Sequence, residues 1–345
     1  MSASTNTTGY VSTRPPLSTE LDRYLAVRRN LGYSLTTEER ILRRFVAFAA
    51  EAGEDVVSVE LFLRWRASWP GASTATWAAR LGTIRSFAAW LSGLDPAHQV
   101  PPKGLIPSRI VRPAPYIYAP SEIAAIVAAA AELGSDLGLR GRTFSTLFGV
   151  IAATGLRLSE ALKLDMTDYD RGEAVLTIRE GKWGKSRLVP LAPDVAARLN
   201  AYCAERDRVI GRASVAMFVN ERGKRIGDCS ARYNFAHASQ TAGVRSPTRY
   251  GRHGKGPRIH DLRHTFAVRT MIGWYETGLD PAREMVKLTT CLGHGSPDAT
   301  YWYIEAVPEL MRLAAERSRC CVIGRPEQVT IPLPTSRRRA RRVGR

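Results

Sequence analysis

The chain has 345 residues, 44% of them apolar, with 50 Lys and Arg against 32 Asp and Glu and a net charge of +18. This composition excludes a disordered polyelectrolyte, and the length predicts two domains with room for a sizeable core. The tail SRRRARRVGR supplies six arginines, so the body keeps +12, which suits a polyanionic partner; solvated surface arginines are the plainer alternative.

Residues 1–17 are rich in Ser and Thr and read as a disordered N-terminus without the basic start and apolar stretch of a signal peptide. Residues 18–95 carry four stripes at helical spacing: Leu21/Tyr24/Leu25/Arg28, Ile41/Leu42/Phe45/Val46/Ala49, Leu61/Phe62/Trp65 and Trp77/Leu81/Ile84/Ala88/Leu91. They predict a small N-terminal helical bundle whose fourth helix shows Arg80 and Arg85, either to phosphates or only to solvent. Residues 96–118, proline-rich with Lys103, Arg109 and Arg112, read as a basic linker able to lie along DNA.

A second domain over 119–320 is predicted to be mainly α with a small antiparallel β-hairpin. Helices are expected at 121–133, 141–153, 158–164, 193–209, 229–241, 260–276, 282–292, 298–305 and 308–318. β-branched runs flank GKWGK, the pattern of a hairpin, and a short strand and turn fall at 214–226. The Gly-rich basic stretch 242–257 reads as a loop, and 321–345 as a basic tail. The longest apolar run, Ile123–Ala131, is far short of the ~18 residues that span a bilayer. The five cysteines, Cys203, Cys229, Cys291, Cys320 and Cys321, form no CxxC pair; they read as reduced thiols of a cytoplasmic protein, and a zinc site is not expected.

Four clusters join a turn to a cation or a cation to a nucleophile. In ATGLRLSEALKL, Gly155 caps one helix, Arg157 starts the next and Glu160 lies within its reach, either as a phosphate clamp or as a surface salt bridge. The hairpin tip carries Lys182 and Lys185, compact charges that project from a sheet or merely solubilise a turn. In RIHDLRHTFA, His260 and Arg263 share a helix face, with His264 about 100° round from Arg263. That pairing suits a phosphate centre, and a capped helix with a buried histidine is the alternative. In LGHGSPDATYWYI, His294 follows the capping Gly293, and Tyr301 and Tyr303 lie ~200° apart on a helix. Only one of the two can face a given site, and periodicity does not choose between them.

In this order, ATGLRLSE, GKWGKSRLVPL, HDLRHTFA and LGHGSPDATYWYI resemble the boxes of the tyrosine recombinase (phage integrase) family over about 114–318. The first domain is similar to that family's core-binding, SAM-like helical domain in length, position and pattern. The resemblance implies that Arg157 and Arg263 grip the scissile phosphate, with Glu160 supporting the first. It implies that Lys182 protonates the leaving 5′-oxygen, with Lys185 as competitor, that His260 accepts the tyrosine proton and that His294 hydrogen-bonds the phosphate. The family nucleophile commonly follows that histidine by nine residues, which here is Tyr303. The loop at 242–257 is longer than the family pattern.

The implied chemistry suits these residue types. Fixed cations offset the charge that grows in a five-coordinate phosphorane, and a phenol of pKa ~10 needs a base or cationic surroundings. No cofactor or metal is expected, because the cations do the electrostatic work. The product is a 3′-phosphotyrosyl link that a second 5′-hydroxyl reopens. The expected partners are double-stranded DNA and further copies of the chain, a tetramer on paired sites, with no membrane. The segment PELMRLAAERS, with Leu310, Met311, Leu313 and Ala314, packs either on its own subunit or on a neighbour. A type IB topoisomerase and a catalytically silent DNA-binding remnant are the competing readings.

Overall fold

A computed structural model of the protein describes residues 14–107, 114–179, 186–211, 214–246, 256–293, 300, 301, 303 and 307–322. The chain divides into two compact units, Met1–Arg112 and Pro113–Arg345.

The first unit is built on α1 (Leu17–Asn30), α2 (Thr36–Glu51), α3 (Val59–Ala67) and α4 (Thr74–Ser92). Ser58 and Ser73 cap α3 and α4 by accepting from the Leu61 and Thr76 amides, which satisfies donors a helix start leaves open. The predicted stripes converge on one core in which Phe45, Phe62, Trp65, Trp77 and Phe87 are buried. Trp65 and Trp77 meet edge to face at 5.0 Å, the arrangement that opposes the positive rim of one ring to the negative face of the other. After α4 the chain stays on this unit: Val57 donates its amide to His98 Nδ1, and Ile106 is buried in the same core.

The second unit holds α5 (Pro120–Ala131), α6 (Leu139–Thr154), α7 (Leu158–Lys163), β1 (Tyr169–Asp170), β2 (Val175–Ile178), β3 (Arg187–Pro190), α8 (Pro193–Ile210), α9 (Asp228–Thr241), α10 (Ile259–Glu276), α11 (Pro281–Leu292) and α12 (Pro308–Val322). It is mainly α with one small antiparallel sheet, in the order β1-β2-β3, as the sequence predicts. Leu176 pairs with Val189 and Ile178 with Arg187, and the buried Leu176, Ile178 and Val189 face the helices. The two-residue β1 has no pattern long enough to show in the sequence.

Helix α6 is the axis of this unit. Phe144, Leu147, Phe148, Val150 and Ile151 are buried along it, and α5, α8 and α10 pack against it. A second cluster joins Val268, Met271 and Trp274 of α10 to Met285, Leu288 and Leu292 of α11 and to Tyr303, Val307 and Leu310. The start of α12 therefore packs on α10 of its own chain, while Met311 faces solvent.

Two helix ends position the site. α6 stops at Gly155 and α11 at Gly293, both in the left-handed region (φ 65° and 63°) that glycine adopts without penalty. A Cβ on Gly155 would lie 2.5 Å from Phe266, and one on Gly293 would lie 2.7 Å from the Arg187 guanidinium. Both turns are thus glycine for conformation and for space.

Candidate active site

The last carbonyls of a helix have no partner within it and form the negative end of its dipole. Here they hold three arginines. Arg263 donates through Nη1 to the Gly155 carbonyl (2.6 Å) and through Nη2 to the Leu292 carbonyl (2.7 Å), bridging the ends of α6 and α11. Arg157 donates to the Gly293 carbonyl at 2.9 Å, and Arg187 Nε to the Cys291 carbonyl at 2.7 Å. Each guanidinium has five N–H groups in a fixed fork, so these bonds fix its orientation and leave donors over for an anion.

Glu160 ties two of the three together. Its carboxylate accepts from Arg157 Nη1 at 2.6 Å and from Arg187 Nη2 at 2.8 Å, and also caps α7 by accepting from the Arg157 amide at 3.0 Å. Burial pushes the carboxyl up; the bonds from Arg187 and the Arg157 amide outweigh it and hold the pKa at about 2. With Arg263 also close, three cations face one carboxylate. The surplus charge favours binding of a further anion.

This arrangement predicts a pH signature. Because the folded pKa of Glu160 is depressed, its stabilisation is present above about 4.5 and is lost as pH falls toward about 2. The stability gap between the wild type and Glu160→Gln is expected to be about 3 kcal/mol at neutral pH and to close through that window. Denaturant melts from pH 7 to 2 measure it, and a gap that does not change with pH contradicts the assignment.

Arg263 is 1% exposed. Burial first, and Arg157 second, press its pKa down to about 10, which leaves it charged at neutral pH. His260, Arg263 and His264 stand at i, i+3 and i+4 of α10, on one face. Asp261 pins the start of this helix by accepting from the Arg258 amide at 2.7 Å.

His260 lies at a solvent-open edge of the site. The protein around its ring, and then Arg263, Arg258, Arg157 and Arg232, hold its pKa down to about 4. The solvent opening moderates the first of these effects, while the four guanidiniums all act in the same direction and keep the imidazole neutral at pH 7. His264 is 6% exposed and meets His260 edge to face, ring centres 4.6 Å apart.

Tyr303 is 2% exposed, and its hydroxyl lies 2.8 Å from His264 Nδ1. Tyr301, two residues earlier, is 47% exposed. The phenol of Tyr303 is also within electrostatic reach of Arg263. The site therefore gathers Arg157, Glu160, His260, Arg263 and Tyr303 from the predicted set. Lys182, Lys185 and His294 lie outside the described residues, as do Arg109, Arg112, most of the loop 242–257 and the tail beyond 322.

Arg187 is a site residue that sequence reasoning missed, and His264 one that it named without a role. Each leaves a signal. Arg187 is two residues from the buried Val189 on β3 and so shares its face, and a cation on a buried strand face requires a partner. His264 is four residues from His260 and so stacks beside it on the helix.

In the first unit, Arg80 lies against an aromatic wall, its guanidinium carbon 4.5 Å from the Trp77 ring centre and 5.9 Å from that of Trp69. Arg85 is half-buried on the same helix, and Lys103 lies in the segment that follows it. No group of three or more His, Cys, Asp or Glu side chains suited to a metal occurs among the described residues. Nor is any helix among them long and apolar enough to cross a membrane.

The sequence profile of the phage integrase family matches residues 118–309. A protein of Sinorhizobium fredii named as an integrase/recombinase, y4rB, is 38% identical over 86% of this chain and 95% of its own length. The tyrosine recombinase XerC of Mycobacterium tuberculosis is 30% identical over 87% of this chain and 97% of its own. Among solved structures, the Tn1549 transposon integrase in complex with transposon right-end DNA superposes with a TM-score of 0.61 at 16% identity, covering 88% of this chain and 99% of that one. XerH recombinase bound to its difH substrate, post-cleavage, gives 0.57 at 18% identity, covering 88% and 85%.

Proposed function

The chain belongs to the phage integrase family, and from that membership we propose that Tyr303 is the nucleophile that attacks a DNA phosphate held by Arg157 and Arg263. The protein is a site-specific DNA recombinase that cuts and rejoins DNA through a 3′-phosphotyrosyl intermediate. The observation that carries the residue assignment is the convergence of two helix C-termini on Arg157 and Arg263 beside the buried Tyr303 phenol.

The reaction follows from the charges. A phosphodiester repels nucleophiles, and two guanidiniums, Arg263 held by two carbonyls and Arg157 by one carbonyl and Glu160, offset the charge that develops on its non-bridging oxygens. Their orientation is fixed beforehand by the helix ends, so little reorganisation is required as the transition state forms. Glu160 holds Arg157 from behind and is itself held by Arg187. His260 is kept neutral at the open edge, and His294 has the role of hydrogen-bonding the phosphate. Lys182 protonates the leaving 5′-oxygen, with Lys185 as its competitor. The phosphotyrosyl bond conserves the energy of the cleaved link, so a second 5′-hydroxyl rejoins the strands without a nucleotide cofactor.

The partner is double-stranded DNA, and strand exchange takes place in a homotetramer on paired sites in the cytoplasm. Solved relatives of this fold include lambda integrase as a tetramer bound to a Holliday junction, with a TM-score of 0.57. Arg80, Arg85, Lys103 and Arg112 of the first unit and its following segment bind phosphates and position the duplex.

The test is a nicked suicide substrate. The short downstream fragment that leaves with a free 5′-hydroxyl diffuses away, and a covalent protein–DNA adduct is expected to accumulate on the 3′ end. Plasmid lacking a cognate site is expected to remain supercoiled. Absence of any adduct, or relaxation of such a plasmid, overturns the reading.

A further inference from the structure

The resemblance assigns the tyrosine proton to His260, yet the imidazole seated on the Tyr303 hydroxyl is that of His264. We propose that His264 is a further catalytic residue of this enzyme: its Nδ1 holds the Tyr303 hydroxyl and takes its proton as that oxygen attacks phosphorus. The inference rests on the reading of Tyr303 as nucleophile.

The geometry is that of a base and its acid. Nδ1 and the hydroxyl oxygen are 2.8 Å apart, within the range that proton transfer requires. With the ring in its Nε2–H tautomer, Nδ1 carries a lone pair and accepts the phenol proton. Both groups are buried, His264 at 6% and Tyr303 at 2% exposure, so bulk water is a poor competitor for that proton. The two rings pack at 5.4 Å between centres and 61° between planes, which fixes the hydroxyl's direction. His264 is held by α10 next to Arg263, whose two carbonyl bonds lock that turn to α6 and α11. The base and the phosphate clamp are thus consecutive residues of one rigid helix.

The step balances without a further reagent. The phenol proton moves to Nδ1, and the electron pair it leaves on oxygen forms the new bond to phosphorus. The bond from phosphorus to the 5′-oxygen breaks, and that oxygen departs with its electron pair and takes a proton from the leaving-group acid. On rejoining, the 5′-hydroxyl attacks phosphorus, the tyrosyl oxygen leaves, and the imidazolium of His264 returns the proton to it. His260, at the solvent edge, is free to act on the phosphate.

The experiment compares His264→Asn with His260→Asn and Lys182→Ala in the full-length chain on the nicked suicide substrate. Asparagine places an amide oxygen near the position of Nδ1, so it keeps a hydrogen bond to the phenol and cannot take its proton. DNA binding by gel shift is measured alongside, and wild-type adduct is mapped by peptide sequencing. An adduct mapped away from position 303 removes the underlying reading of the nucleophile; the remaining arms judge His264 alone.

For His264→Asn we expect DNA binding to persist and the cleavage rate to fall about 10²-fold or more. Installing 3-fluorotyrosine at position 303, a more acidic phenol, is expected to recover part of that loss. A 5′-bridging phosphorothiolate substrate, whose sulfur leaves without a proton, is expected to recover Lys182→Ala and not His264→Asn. A loss smaller than about tenfold in His264→Asn overturns the proposal. So does a loss that the acidic phenol fails to relieve, or one that it relieves in His260→Asn instead. Should the asparagine variant lose DNA binding, the fluorotyrosine series in otherwise wild-type enzyme decides. A solvent isotope effect on cleavage that shrinks as the phenol is made more acidic supports transfer to the protein, and one independent of phenol acidity overturns it.

Discussion

Tyr303→Phe is expected to bind DNA as the wild type does and to form no covalent adduct. Phenylalanine keeps the ring that packs with Val268, Met271 and Leu310, so the cluster between α10, α11 and α12 stays filled. What it removes is one oxygen, and with it the atom that attacks phosphorus. The hydroxyl is also the partner of His264, so the variant leaves a buried imidazole nitrogen without it, at about 1–3 kcal/mol of stability. The melting temperature should therefore fall modestly while cleavage is lost completely. Tyr301→Phe is the matched control. That side chain faces solvent, and its variant is expected to cleave at the wild-type rate and melt at the wild-type temperature. Adduct formation on the suicide substrate, thermal melts and gel shifts check all of these. An adduct that survives in Tyr303→Phe and disappears in Tyr301→Phe would exchange the roles of the two tyrosines.

The pair shows how far sequence reasoning reaches. Helical periodicity establishes that Tyr301 and Tyr303 point apart, and it says nothing about which direction holds the site. That is decided by tertiary packing, since α10 and α11 cover one side of the segment and leave the other open. The four helices of the first unit were legible because each buries a stripe against a single core, and amphipathic spacing records that directly. Arg157 and Glu160 were legible because their contact is local, three residues apart on one helical turn. Arg187 was not, because its partners Glu160 and Cys291 stand 27 and 104 residues away. Gly155 and Gly293 were visible as helix stops. That their carbonyls, with that of Leu292, are the acceptors for Arg157 and Arg263 depends on two helices ending at one point, which no local pattern encodes.

Arg263→Lys follows from that last arrangement and is expected to separate charge from geometry. Lysine retains the positive charge, but its ammonium is a point donor on a flexible stem. Arg263 reaches the Gly155 and Leu292 carbonyls with the two ends of one planar fork, and so holds the ends of α6 and α11 together in a fixed plane. A lysine reaching for both carbonyls has no rigid plane left to present to a phosphate. Cleavage is therefore expected to fall about 10²–10³-fold, the usual cost of one misplaced transition-state donor, with DNA affinity little changed because many other phosphate contacts remain. Arg263→Ala is expected to lose more than catalysis. It strands two buried carbonyls and removes a side chain that is 1% exposed, so stability falls by about 1–3 kcal/mol for each carbonyl left without a partner. Single-turnover cleavage, gel shifts and denaturant melts on the two variants distinguish these effects. If lysine restored full cleavage, charge alone would suffice at this position, and the bridge between the two helix ends would be structural without bearing on the chemistry.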